Sequence, residues 1–294
     1  MQFRKILAMG LVSVFFVTNL NINNILVYAS DEIIEEVEEN ENVVSNINSN
    51  NISAVQAENS DTEQEMINSA LLEMGTPVEL LSEYTIEEKK FILENVQDCD
   101  AQYLSYEEGW ADENSTIKAR TVTTNEQLKG KVKFSVTAYR FNKGGKKSIA
   151  LLPRFKWTSN DEVKNDLFVF SLPQGWEIAD DDSSFTLYAY NGNNQIAQII
   201  NYTAASSKSY NGVGYTIQDG GTALPNGHYE GMMVAYFEKK DLSASNKMII
   251  KYVHDYSSKS TITYGITYGF LSIGITSNST KQAVTNAVLL FSYK

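Results

Sequence analysis

The sequence predicts a mainly β protein: an antiparallel β-sandwich of about nine strands preceded by a small module of three short helices. Three observations carry that expectation. From Lys131 onward, apolar and polar residues alternate with a period of two in run after run, as in KVKFSVTAYRF and SIALLPRFKW, so alternate side chains face opposite sides of a strand. Short turn signals such as NKGGKK and NGNN separate the runs, which pairs neighbours as hairpins. Only TKQAVTNAV carries a helical signal among them, so no crossover helices are expected and antiparallel pairing follows.

With 294 residues, 43% of them hydrophobic, the chain can bury a full-sized core. Its formal charge is -12, and becomes -14 once Arg4 and Lys5 leave with the segment described next. Such a surface repels phosphate backbones, which excludes nucleic acid from the expected partners. A single cysteine, Cys99, provides no disulfide framework within the chain.

Residues 1–30 read as a secretory signal peptide: basic MQFRK, the apolar run ILAMGLVSVFFV, and small residues around a cut after Ala29. That run of about 12 residues is too short for the ~20 that span a bilayer as a helix, so export is expected rather than anchoring. Residues 31–60, rich in Glu, Asn and Ser without an aromatic, read as a disordered acidic spacer that buries too little apolar surface to offset its ordering entropy. The helical module occupies 61–100. Ser60 with Glu63 has capping-box spacing, Gly75 is a stop, Thr76, Pro77 and Glu79 open a second helix, and Thr85 with Glu88 opens a third. Val78, Leu80, Leu81, Ile86, Phe91, Ile92 and Val96 supply apolar positions for packing on a sheet.

The β domain fills 101–294. After the first two runs come DLFVFSL, SFTLYAY, QIAQIINYT, GMMVAYFEKK, KMIIKYVHDY, TITYGITYGFLSIGIT and NAVLLFSYK. In the stretch Thr261–Thr276, large residues hold even positions from Ile262 to Phe270 and odd ones at Leu271, Ile273 and Ile275. One strand with a β-bulge near Gly269 to Leu271 would return both sets to the core.

The helices around MGTPVELLSEYTIEEKKFILENV, with a strand ending in Phe155 and Trp157 and an Asp166 before the next apolar strand, resemble uncharacterised secreted β-rich proteins of Firmicutes. The resemblance covers roughly residues 66–176 and implies export and a β-rich fold. It transfers no site residue.

The chemistry-bearing residues form no strong motif. Cys99, His228 and Asp255 follow the chain order of a cysteine hydrolase, but Asp98 and Asp100 flank the thiol and a helix C-terminus disfavours its thiolate. His228 and His254 lie in different elements, so no zinc site is expected. Asp180, Asp181 and Asp182 lack the alternate spacing of a calcium loop and read as a solvated turn. No catalytic residue, metal ligand or cofactor is therefore assigned. Among 17 Tyr and 3 Trp, most share a face with core residues; Trp157 lies in phase with Ile149, Leu151 and Phe155. Tyr188 and Tyr190 are out of phase with Phe185 and Leu187, so they are the candidate ligand-contact residues, an exposed strip for sugar or peptide.

The expected function is that of an exported bacterial protein, secreted or loosely held at the cell surface, that binds without catalysing a reaction. Its expected partner is a cell-wall polysaccharide or a surface protein. A membrane-active, pore-forming β protein is the alternative, on the Ser/Thr/Gly/Tyr texture of TYGITYG; the acidic charge opposes approach to anionic lipid. A secreted hydrolase is the second alternative.

Overall fold

The computed structural model describes residues 49–97, 100–110, 128, 130–143, 146–158, 165–218, 226–255, 262–267, 272–277 and 282–293. Two compact units divide the chain between Glu63 and Gln64. The first contributes, among the described residues, only the opening turns of helix α1 (Ser49–Glu73). That helix begins inside the stretch expected to be a disordered spacer, and Ser60 lies within it rather than at its N-cap. Residues 1–48, with the expected signal peptide, lie outside the described residues.

The second unit holds everything else. Helix α1 stops where Gly75 takes a left-handed φ of 87°, and the Gly75 and Thr76 amides close back on the Leu72 and Leu71 carbonyls. A four-residue turn of helix, α2 (Val78–Leu81), follows Pro77. Helix α3 (Ile86–Val96) opens on a complete capping box between Thr85 and Glu88, as the sequence predicts. Leu80, Leu81, Phe91, Ile92 and Val96 are buried, whereas Val78 stays 62% exposed because the short turn cannot bring it round to the sheet.

Thirteen strands follow among the described residues: β1 (Gln102–Trp110), β2 (Val132–Lys143), β3 (Lys146–Trp157), β4 (Asn165–Ser171), β5 (Trp176–Tyr190), β6 (Ile196–Tyr202), β7 (Ser207–Ser209), β8 (Gly212–Gln218), β9 (His228–Lys239), β10 (Lys247–Asp255), β11 (Ile262–Thr267), β12 (Ser272–Ser277) and β13 (Gln282–Leu290). One sheet runs β1-β2-β3-β9-β5-β6, a second β13-β10-β4-β8-β7, and every ladder is antiparallel. The two sheets enclose one apolar core, with Phe155, Phe185 and Phe237 from the first meeting Phe168, Phe170 and Tyr252 from the second. The protein is thus mainly β and sandwich-like as expected, but with thirteen strands among the described residues rather than about nine: β1, β7 and β8 carry no strand signal strong enough to have been counted, and one expected strand is the β11–β12 pair. Its hairpins at NKGGKK and NGNN are confirmed by the Lys143–Lys146 and Tyr190–Ile196 pairs.

Two expectations are corrected. TKQAVTNAV contributes to β13 instead of a helix, since its alternating Ala, Val and Thr positions register along β10 from Gln282 to Leu290. The stretch Thr261–Thr276 is no single bulged strand: β11 and β12 pair with each other, Thr267 opposite Ser272 and Ile262 opposite Ser277. Opposite residues of an antiparallel pair share a face, so positions 264 and 266 of one arm lie beside 275 and 273 of the other. The switch from even to odd positions is that of a chain reversal. Gly269 to Leu271 themselves lie outside the described residues.

Candidate functional site

Alternation along β2, β3, β5 and β9 gives the six-stranded sheet a second face, turned away from the sandwich core and covered by α2 and α3. Tyr84 reaches down from the helical layer to share a 2.5 Å hydrogen bond with Thr137, Thr76 bonds Tyr139 at 2.9 Å, and the Tyr236 hydroxyl donates to the Asn95 carbonyl oxygen at 2.8 Å. The helices therefore act as a cap on this sheet. Tyr188 and Tyr190 do lie out of phase with Phe185 and Leu187, but they are only 1% and 2% exposed. The expected exposed strip is a buried one, because the cap comes from a segment some 90 residues earlier in the chain.

Beneath the cap lies a network of charge. The Arg154 Nε stands 2.8 Å from Glu88 Oε1 on α3, and its Nη2 pairs with Glu230 of β9. Lys156 and His228 both reach Glu230 Oε1, at 2.6 and 2.8 Å, and the His228 ring stacks on Tyr190 with centroids 4.5 Å apart. Arg154 also sits 5.2 Å over the Tyr84 ring. Desolvation pushes Glu88 up to about 7, against the pull of Arg154 and with the charge of Glu230 adding to it. Glu230 is held down to about 2: desolvation raises it, but His228, Arg154 and Lys156 together outweigh that term. Two carboxylates sharing one guanidinium thus divide the roles, one readily protonated and one firmly ionised.

A second polar cluster lies inside the sandwich. Asp166, fully buried, accepts from Tyr252 at 2.5 Å and stands 3.0 Å from His254 Nδ1, while the Trp157 indole donates to the Tyr252 hydroxyl at 3.1 Å. Burial and the charge of Asp166 raise Tyr252 well above the ordinary phenol range. Glu88, Arg154 and Glu230 in one cluster, and Asp166 and His254 in the other, are buried, whereas Lys156 and His228 carry the first network out to solvent with side chains 45% and 15% exposed.

The other sequence candidates are not brought together. His228 faces the helical cap and His254 belongs to the inter-sheet core, on different sheets. Cys99 lies outside the described residues. The aspartates 180–182 belong to an irregular part of β5, not to a turn; register slips there and the Asp182 amide donates to Asp180 Oδ1 at 3.3 Å. Among the described residues, no three His, Cys, Asp or Glu side chains group as a metal site requires.

An open cavity of about 390 Å³ lies at one end of the sandwich, lined by Arg140, Lys147, Ser148, Lys239, Leu242, Asn246 and Tyr293. Trp176 and Tyr293 pack edge to face with centroids 5.1 Å apart, and Lys239 Nζ lies 5.2 and 5.3 Å from the two ring centres and donates to Asn246 Oδ1 at 2.8 Å. Arg140 donates to Gln102 Oε1 at 2.6 Å. None of these lining residues was singled out from sequence. The available signal was the point at which the inward face of a strand changes from apolar to basic, Ala138 to Arg140 and Phe237 to Lys239.

No protein-family profile matches the chain, and no curated protein sequence matches it. Among solved structures, one titled "Pore forming protein" overlaps 63% of this chain and 89% of its own at 8% identity and a TM-score of 0.34. The enzymatically active domain of bacteriophage CBA120 tailspike protein 4 overlaps 46% of this chain and 16% of its own at 9% identity and a TM-score of 0.21. The KRT10-binding region domain of the pneumococcal serine rich repeat protein PsrP overlaps 52% and 85% at 8% identity and a TM-score of 0.23. Overlaps this loose assign neither activity nor partner.

Proposed function

We propose that this chain is an exported binding module that holds a cell-wall polysaccharide or a surface protein outside the cell without transforming it. The observation that carries the reading is where the polar side chains sit. The acid–base groups described above fasten layers together, Asp166 and His254 inside the sandwich and Glu88, Arg154 and Glu230 beneath the cap with Lys156 and His228 at its edge, while the open cavity at the end of the sandwich sets cations, amide and hydroxyl beside ring and aliphatic wall. Such groups orient and retain a ligand, and that cavity falls within the ~300–1,000 Å³ range of small-ligand sites. Its walls stand at the ends of paired strands, a rigid setting suited to recognition. The signal-peptide pattern of residues 1–30 supports export.

The test sets retention on insoluble Gram-positive wall material, and on intact cells carrying their surface proteins, beside dye release from liposomes. The protein is expected to sediment with the wall or the cells and to leave liposomes sealed. Rapid dye release at submicromolar protein, or a protein that stays in the supernatant with both, overturns the reading.

A further inference from the structure

At one end of the sandwich, three neighbouring strands of the six-stranded sheet change character on their inward face within two residues of one another. Arg140 pairs with Ile149, and Ile149 pairs with Phe237. Lys147 and Lys239 each lie two residues beyond that last pair, so the pleat places them on the same side as Ile149 and Phe237. Three cations therefore meet at the mouth of the core in a chain of 24 basic and 36 acidic residues. Like charges side by side on a sheet repel, and among the described residues no carboxylate lines the cavity to relieve them. Asp241 is within electrostatic reach of Lys239, but its Oδ1 accepts from the amide and hydroxyl of Ser243 at 2.8 and 2.7 Å. Glu238 pairs with Lys240 instead.

The cations are also held in place. Lys239 is held against the paired rings of Trp176 and Tyr293 and by Asn246, so little of its side-chain freedom remains to be lost when a ligand arrives. Gln102 orients the Arg140 guanidinium, whose planar fork suits two oxygens of one anion, while exposed Lys147 can swing onto a third. Tyr293 and the 81% exposed Leu242 add apolar wall beside the charge.

We propose that this cavity binds a single oxyanion, a carboxylate, sulfate or phosphate, carried on a sugar-sized ring that lies against Tyr293 and Leu242. The proposal deepens the binding-module reading and rests on it. At ~30 Å³ for a water's share of the liquid, the cavity has room for an acidic monosaccharide or the acidic end of a longer glycan. The acidic remainder of the surface disfavours a continuous polyanion, since repulsion acts beyond the pocket over a Debye length of about 8 Å.

Calorimetric titration of the mature chain with glucose 6-phosphate, glucose 6-sulfate and glucuronate, beside glucose and inorganic phosphate, tests this. At least one acidic sugar is expected to bind, more weakly as salt rises, and to bind better than both glucose and inorganic phosphate; which one binds best identifies the oxyanion. Lys147→Gln and Arg140→Gln should each weaken binding about tenfold or more, the loss of at least one charge-assisted hydrogen bond, with unchanged melting temperature. Tyr293→Ala should weaken the acidic sugar more than inorganic phosphate. Glucose binding as tightly as its acidic derivatives, inorganic phosphate binding as tightly as the sugars, folded variants that bind like the parent, or no acidic sugar bound at millimolar concentration overturns the proposal. The outcome separates from that of the binding-module reading. Wall retention that survives both substitutions sinks the pocket and leaves the module, whereas acidic-sugar binding by a protein that wall and cells do not retain does the reverse.

Discussion

At the scale of single residues, Arg154 ties the cap to the sheet. Buried between Glu88 and Glu230 and over Tyr84, it supplies the charge that makes two buried carboxylates tolerable. Arg154→Met should lower stability by about 3–5 kcal/mol in urea unfolding, because Glu88 loses its paired guanidinium and Glu230 keeps only its contacts with Lys156 and His228. Adding Glu88→Gln and Glu230→Gln should recover much of that loss; no recovery would mean that Arg154 matters for its packing and not its charge. Glu88 has a further consequence. Its folded-state pKa is raised to about 7, above the ordinary glutamate value, so its contribution is fully present below pH ~4.5 and is lost as pH rises through about 7. Glu88→Gln keeps the neutral form at every pH and should gain on the parent by up to about 3 kcal/mol between pH ~4.5 and ~8. A stability difference independent of pH across that window would refute the assignment.

Among the elements, β9 is tightly packed where it crosses the aromatic core. A Cβ on Gly231 would stand 2.3 Å from a ring carbon of Phe155 and 2.7 Å from one of Phe185, so the strand crosses the aromatic core at a point with no room for a methyl group. Gly231→Ala should cost about 2 kcal/mol or more in chemical denaturation, and Phe155→Leu in the same chain should return part of it. A neutral Gly231→Ala would show that the rings yield easily. The elements also show what the sequence made legible. Period-two alternation announced the β class, and Ile149, Leu151, Phe155 and Trp157 do share one buried face. The Thr85–Glu88 box and Gly75 stop were local signals and were read correctly. Alternation alone could not distinguish a bulge from the β11–β12 reversal, since both shift the phase. It also placed Tyr188 and Tyr190 on the correct face without revealing the helices that cover it. The Arg154 network was out of reach for the same reason: its partners lie 66 and 76 residues away in the chain.

Across the whole molecule, the six-stranded sheet has two buried faces, an apolar one against its partner sheet and a partly polar one against the helices. Neither helix α2 nor α3 can leave without exposing Glu88, Arg154 and Glu230 together, so the cap and the sandwich should unfold as one. Far-ultraviolet circular dichroism and the fluorescence of buried Trp157 and Trp176 should report coincident transitions; an earlier dichroism transition would show the cap to be a separate unit. The buried tyrosines have a consequence in alkali. Tyr84, Tyr188, Tyr190 and Tyr252 are all pushed above the ordinary phenol range, chiefly by desolvation. Their contribution is complete below pH ~10 and falls as pH rises beyond it, because only the unfolded chain ionises them readily. After a jump to high pH, phenolate absorbance should therefore appear in two steps, a fast one from exposed rings and a slow one from the sealed rings. The slow step is the unfolding rate itself, so the protein carries its own optical clock for kinetic stability, and needs neither label nor denaturant to read it.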